Sequence, residues 1–136
     1  MLKILSLSFL ILFSNQCYNV KDVENIRWIY PETVKEINEL IDLSAEKHIL
    51  FYKHSYKCGL CHMILDDLEE AWNLPSKKVE MVFIEVNKQK ELAKYLENIS
   101  GYRHHSPQVL LFKDKEVVYQ ETHGRIKASK LESKVN

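Results

Sequence analysis

The sequence is poor in the residues that interrupt or cross-link a chain. Glycine, proline and cysteine each occur three times in 136 residues, so no Pro/Gly-rich linker divides the chain, and its length fits one domain. Because the apolar fraction is ordinary at 46%, a core can form without disulfide bonds. Neither sign of charge predominates, since 19 Lys and Arg face 19 Asp and Glu. A nucleic-acid-binding surface, which needs a basic excess, is therefore not expected.

One apolar run stands apart at the start of the chain. Lys3 is followed by an apolar stretch at residues 4–13 and then by polar residues that end at Cys17. This order is typical of a secretory signal, and the run is too short for a spanning helix, which needs about 20 apolar residues. We therefore predict a signal peptide at 1–17, a folded domain at 18–136 and export from the cytoplasm. The alternative is a buried N-terminal element of the fold.

Cys17 lies where a lipoprotein signal would end. The cysteine of such a signal becomes the first mature residue and carries the lipid, which would account for an odd third cysteine. Ser14 and Gln16 stand where a lipobox prefers leucine and a small residue. A lipid anchor at Cys17, simple secretion and an uncleaved anchor are all open, so the protein is expected in the periplasm or anchored to the membrane through its N-terminus.

The chain after residue 18 alternates between strand and helix patterns. Short apolar runs predict strands at 26–30, 47–54, 79–86, 108–112 and 116–121. Apolar spacings of three and four predict helices at 32–45, 61–72, 92–99 and 126–135. The order β-α-β-α-β-α-β-β-α predicts an α/β protein with a central mixed sheet, flanking helices and a C-terminal hairpin around Asp114-Lys115. This order resembles the thioredoxin fold.

Cys58 and Cys61 lie between a predicted buried strand and the start of a helix. A helix N-terminus presents free N–H groups and a partial positive charge, and both stabilise a thiolate. Lys53, His54, Lys57 and His62 are near in sequence and would add to that field. Cys58 is the predicted nucleophile, and Cys61, which belongs to the apolar stripe of the helix, is the predicted resolving thiol. Attack by Cys58 on a disulfide gives a mixed disulfide, and attack by Cys61 releases the product.

The same two cysteines have other uses. A permanent disulfide would gain little chain entropy from so short a loop, and a zinc site lacks a second cysteine or histidine pair. Cys58-x-x-Cys61-His62 also spells the attachment motif for c-type haem, with His62 as axial ligand and Met63 or Met81 as its partner. Small c-type cytochromes are mostly helical, whereas this pattern contains several strands. We therefore expect no cofactor and no metal.

Histidines leave two questions open. His104 and His105 keep a copper- or haem-binding protein as the alternative to an enzyme. The strand before the motif carries no Asp or Glu, so the proton acceptor for Cys61 would be His54, a water or a group from elsewhere in the fold. His54 could equally be a packed or solvated residue at the end of its strand.

Three short motifs carry a resemblance to a known family. Residues 52–61 read Tyr-Lys-His-Ser-Tyr-Lys-Cys-Gly-Leu-Cys, residues 104–108 read His-His-Ser-Pro-Gln, and residues 122–124 read Thr-His-Gly. In this order they resemble the YtxJ-type bacilliredoxins, thioredoxin-like proteins of bacteria. The family pattern is Phe-Lys-His-Ser-x-x-Cys-Pro-x-Ser, then His-x-Ser-Pro-Gln, then a Ser-His segment. The resemblance runs from about residue 34 to residue 131.

The resemblance implies a redox role for Cys58. It places four further residues beside the substrate, with the proline in the cis form: His54, Ser55, Ser106 and Pro107. The family is typically monothiol, with serine where Cys61 stands, and typically cytosolic, where it removes the small thiol bacillithiol from proteins. The second cysteine and the signal segment suggest dithiol exchange outside the cytoplasm instead. We expect an extracytoplasmic thiol–disulfide oxidoreductase acting on protein or low-molecular-weight disulfides with a separate redox partner; the alternative is a monothiol de-thiolating redoxin.

Overall fold

The computed structural model describes residues 18–136, so the predicted signal peptide and Cys17 lie outside the described residues. Within that range the strands are β1 Asn19–Val23, β2 Ile26–Tyr30, β3 His48–His54, β4 Val79–Glu85, β5 Gln108–Lys113 and β6 Glu116–Thr122. The helices are α1 Val34–Leu43, α2 Gly59–Ala71, α3 Lys90–Ser100 and α4 Ala128–Val135, with one 3₁₀ turn at His123–Arg125. No helix in residues 18–136 is long and apolar enough to span a membrane.

The six strands form one mixed sheet in the order β1-β2-β4-β3-β5-β6. The strands β2, β4 and β3 are parallel, and the pairs β1–β2, β3–β5 and β5–β6 are antiparallel. The two central strands β3 and β4 are covered on both faces, which explains their continuous apolar runs. The predicted α/β class, the central mixed sheet and the C-terminal hairpin are confirmed.

The edge strand β1 was not predicted from the sequence. Four of its five residues are exposed, and it pairs with β2 across a turn in which Glu24 has a φ of 48°. A charged, exposed edge strand buries too little apolar surface to leave an alternating pattern. Helix α1 also begins later than predicted, because Thr33 caps it: the Thr33 hydroxyl accepts from the N–H of Glu36, whose carboxylate accepts from the N–H of Thr33.

Two apolar layers cover the sheet. Helices α2 and α4 pack on one face, where Trp28 and Trp72 are fully buried, and α1 and α3 pack on the other. The Trp28 Nε1–H donates to Glu69 Oε1 over 2.7 Å and ties β2 to helix α2. The helix that carries the cysteines is thus fixed against the sheet. Strand β3 ends at His54, four residues before Cys58, and so delivers the motif to the N-terminus of α2.

Candidate active site

Cys58 is the N-cap of helix α2. Its backbone is extended, and its Sγ accepts a hydrogen bond from the N–H of Cys61 over 3.3 Å. A side chain that accepts from the third N–H of a helix is the ordinary capping arrangement, here with sulfur as the acceptor. Cys58 is partly exposed, Cys61 is fully buried, and both thiols are free. The predicted exposed and buried positions of the two cysteines therefore agree with the geometry.

The two thiols have opposite electrostatic environments. Hydrogen bonds from the Cys61 thiol, and then from the N–H groups of Cys61 and Leu60, lower the pKa of Cys58 below its usual value. Burial raises the pKa of Cys61 to about 11, and donation of its proton to Cys58 adds to that rise. Cys58 is therefore the more easily ionised sulfur, and Cys61 remains a protonated thiol beside it. These are the properties of a nucleophile and a resolving thiol.

Tyr52 lies beneath the motif, and no sequence motif pointed to it as a residue of the site. Its ring is fully buried in β3, and its hydroxyl donates to the carbonyl oxygen of Cys61 over 3.1 Å. Burial, and after it the neighbouring Cys61, raises the pKa of Tyr52 far above its usual value, so the phenol stays protonated. The one sign in the sequence was the hydroxyl of Tyr52, which is the only side-chain polar atom in the run at residues 49–52.

His54 was considered either as the proton acceptor for Cys61 or as a packed or solvated residue at the end of its strand. The structure favours a packed, neutral histidine. Its ring is fully buried, and neither ring nitrogen has a hydrogen-bond partner among residues 18–136. The rings of Tyr56 and His62 contact it edge-on, with centroids 4.6 and 5.1 Å away, and Phe83 lies 5.3 Å away. Burial is the main cause that lowers the pKa of His54 to about 4. Because its charged form is so disfavoured, His54 is a poor proton acceptor for Cys61.

Ser55 supports the loop that leads to the nucleophile. Its hydroxyl donates to Asn87 Oδ1 over 2.7 Å and accepts from the N–H of Lys57. His54 and Ser55 are both buried in this structure, where they support the segment that leads to Cys58; their contact with a substrate stays a prediction.

The loop before β5 reaches the buried thiol. The side chain of Ser106 lies close enough to the Cys61 thiol to oppose the rise in its pKa, as does the backbone of Ser55. The Ser106–Pro107 peptide bond is cis, as the resemblance implied. Ser106 is partly exposed and Pro107 is buried. The two segments that the sequence separates by nearly fifty residues therefore meet at Cys61.

Lys53 does not contribute to the field at Cys58. Side chains alternate along a strand, so Lys53 points to the face opposite Tyr52, where its Nζ donates to Gln108 Oε1 over 3.0 Å. Gln108 in turn accepts from the N–H of His105 and donates to the carbonyl of Arg103. The expectation that Lys53 adds to the thiolate field is therefore wrong, and the lysine instead braces the loop that precedes Ser106.

The structure offers little to a metal or haem. Within residues 18–136 no group of three or more His, Cys, Asp or Glu side chains is placed to hold a metal ion. His62 Nε2 hydrogen-bonds with the carbonyl of Tyr56. Met81 is buried in the sheet, whereas Met63 is 65% exposed on α2. His62 and Met63, two of the candidate haem ligands, therefore lie on helix α2, and the third, Met81, lies on strand β4.

A strand that leads into Cys-x-x-Cys at a helix N-terminus, with a cis-proline loop at the buried thiol, defines a thioredoxin-like oxidoreductase. The chain belongs to the monothiol bacilliredoxin family: the family model described as "Monothiol bacilliredoxin BrxC" matches residues 31–131. The resemblance to the YtxJ-type bacilliredoxins is thereby confirmed. A search of curated proteins found no match.

Solved structures confirm the thioredoxin fold. A protein described as having a thioredoxin fold is 22% identical, with a TM-score of 0.68 over 80% of this chain and 94% of that chain. Thioredoxin NaTrxh from Nicotiana alata is 20% identical, with a TM-score of 0.64 over 85% and 95%. Malassezia sympodialis thioredoxin (Mala s 13) is 17% identical, with a TM-score of 0.63 over 88% and 96%. At these identities the likeness concerns the fold alone.

Proposed function

We propose that the chain is a thiol–disulfide oxidoreductase that uses Cys58 as the nucleophile and Cys61 as the resolving thiol. The observation that carries the proposal is the hydrogen bond that the Cys61 N–H donates to Cys58 Sγ over 3.3 Å, together with the neighbouring Cys61 thiol, which lowers the pKa of Cys58. Both favour the thiolate at Cys58, and the thiolate is the attacking species in disulfide exchange. The same contacts keep Cys61 beside the sulfur that it must attack.

The exchange takes two steps. The Cys58 thiolate attacks one sulfur of a protein or low-molecular-weight disulfide, a mixed disulfide forms, and the other substrate sulfur leaves as a thiolate. Cys61 then attacks Cys58 Sγ, the bond to the substrate breaks, and the Cys61 proton leaves with the substrate thiol. The substrate disulfide is reduced to two thiols, the Cys58–Cys61 pair is oxidised, and an external thiol donor reduces it again.

We propose that the substrate contacts Ser106 beside the thiols. Ser106 is partly exposed, and its side chain lies close to the Cys61 thiol. Tyr56 and Leu60 are exposed apolar side chains on either side of Cys58 in the chain. A disulfide flanked by apolar residues would therefore find apolar surface around the nucleophile.

The second candidate function is the removal of a low-molecular-weight thiol from proteins by Cys58 alone. Membership in the monothiol bacilliredoxin family favours it. In that reaction Cys58 takes the small thiol from its mixed disulfide with a protein, the protein thiol leaves, and a second small-thiol molecule releases Cys58 as a small disulfide forms. Cys61 would be dispensable.

Two serine variants separate these functions. Each variant is reacted with an oxidised protein substrate and analysed by non-reducing electrophoresis, alongside a turnover assay. Cys58→Ser is expected to abolish exchange. Cys61→Ser is expected to accumulate mixed disulfides, because the substrate held by Cys58 is no longer released from within the protein.

The outcomes are distinct. Full turnover by Cys61→Ser would support the monothiol function. Activity in Cys58→Ser would show that the nucleophile is wrongly assigned. If neither substitution changes turnover, the cysteine pair is not catalytic and the oxidoreductase proposal fails.

A further inference from the structure

We propose that Tyr52 is a positioning residue for the resolving thiol: its buried hydroxyl ties the first turn of α2 to β3 and so holds Cys61 within reach of Cys58. The inference rests on the proposed dithiol function, since a protein that does not use Cys61 would not need it held. It goes further, because it assigns a role in one step of the exchange to a side chain outside the Cys-x-x-Cys motif.

The Tyr52 hydroxyl lies within the apolar core. Tyr52 is fully buried, and its ring packs against Trp28 and Phe83 with centroids 5.8 and 5.9 Å away. A phenylalanine would fill that apolar site without the cost of burying a hydroxyl. The tyrosine hydroxyl is satisfied by the carbonyl of Cys61, 3.1 Å away. The hydroxyl is therefore bonded to the backbone of the resolving cysteine itself.

The contacts at Cys61 explain how the hydroxyl would act. The Cys61 N–H donates to Cys58 Sγ over 3.3 Å, while its carbonyl accepts from Tyr52. The N–H contact lies within the first helical turn itself, whereas the contact with Tyr52 ties that turn to β3. Because the phenol stays protonated in its buried site, Tyr52 acts through position and not as a base. In the resolving step the Cys61 thiol loses its proton as its sulfur attacks Cys58 Sγ, and the departing substrate thiolate takes that proton up.

The test uses purified reduced protein and glutathione disulfide as the oxidant. The reaction is quenched with acid at set times, and mass spectrometry separates the Cys58–glutathione adduct from the Cys58–Cys61 disulfide. Tyr52→Phe is expected to lengthen the lifetime of the adduct by roughly three- to tenfold, the effect of one lost hydrogen bond. The rate of Cys58 alkylation by iodoacetamide is expected to be unchanged. The matched control is Tyr95→Phe, which removes a hydroxyl that bridges α3 to Asn38 on α1.

Each result has one meaning. A longer adduct lifetime in Tyr52→Phe alone, with unchanged Cys58 alkylation, supports the proposal. An unchanged lifetime overturns it, even if the variant unfolds more easily, because the hydroxyl would then stabilise the fold only. An equal fall in Cys58 alkylation and in resolution also overturns it, since the effect would be general. If the unmodified protein forms no Cys58–Cys61 disulfide from the adduct, the dithiol function itself has failed.

Discussion

Lys53 Nζ, fully buried in β3, donates a hydrogen bond to Gln108 Oε1 at the start of β5, 3.0 Å away. Burial is the main cause that lowers the pKa of Lys53 to about 8, and the negative charge of Glu97 opposes it. A buried ammonium is costly unless well paired. The fold therefore contains an unfavourable buried charge at Lys53, whose hydrogen bond to Gln108 supports the loop that carries Ser106 to the thiols.

Replacing this lysine should stabilise the protein at neutral pH. Because the folded-state pKa of Lys53 lies below its unfolded value of 10.5, its contribution to stability is complete above about pH 10.5 and is lost as pH falls towards 8. Lys53→Met should therefore raise the free energy of unfolding at pH 7 by ~1 kcal/mol, and the gain should shrink as pH rises to 10. Urea unfolding at several pH values measures this, with exposed Lys77→Met as the control. A gain that does not vary with pH would contradict the prediction.

His54 should make the protein sensitive to acid. Its folded-state pKa, about 4, lies below the unfolded 6.5, with burial as the first cause, His62 adding to it, and Glu85 and Asp66 opposing it. The unfolded chain therefore binds the extra proton first, and stability present above pH 6.5 is lost as pH falls towards 4. His54→Phe should reduce that loss by ~1–2 kcal/mol. Urea unfolding between pH 7 and 4.5 measures it, and His105→Phe, at an exposed histidine, should leave the loss unchanged.

Much of the fold followed from apolar spacing. The strands that became β2 to β6 and the four helices were predicted within a few residues, because each buries a continuous run or a stripe of apolar side chains. Gly101 closes α3 with a φ of 76°, as a helix-ending glycine should. Strand β1 was missed because it is held by backbone pairing at an exposed edge, which leaves no apolar signature.

The site was predictable only where one side chain carries the chemistry. The order and burial of Cys58 and Cys61 follow from their place at a helix start. The direction in which the Lys53 side chain points was not predicted. A charged residue so close to the motif in sequence was expected to act on it, but the alternation of side chains along the strand places it on the opposite face of the sheet. The role of Tyr52 depends on a contact across nine residues that only the packed sheet and helix bring together.

Export is a prediction about residues 1–17, and it rests on the sequence of Lys3, the apolar run and Cys17. A reporter fused after Tyr18 should appear outside the cytoplasm, and the same fusion with charged residues placed in the apolar run should not. Labelling by a palmitate analogue that is lost in Cys17→Ala would show a lipid anchor. A reporter that stays in the cytoplasm would refute the extracytoplasmic location while leaving the chemistry of the two thiols untouched.

The last prediction concerns the ionisation of Cys58. The thiol of Cys61 is the largest cause of its lowered pKa, followed by the Cys61 N–H. The rate of Cys58 alkylation by iodoacetamide should therefore rise with pH and reach half its maximum below the ~8.5 of an ordinary cysteine. Cys61→Ala removes the thiol donor but keeps the N–H. The pH of half-maximal alkylation should therefore rise towards that of an ordinary cysteine without reaching it. Ser106→Ala serves as the control, because its side chain acts on Cys61 and should change the midpoint of Cys58 less. A midpoint that does not move in Cys61→Ala would show that the helix N-terminus alone stabilises the thiolate, and the hydrogen bond between the two sulfurs would lose its place in the mechanism.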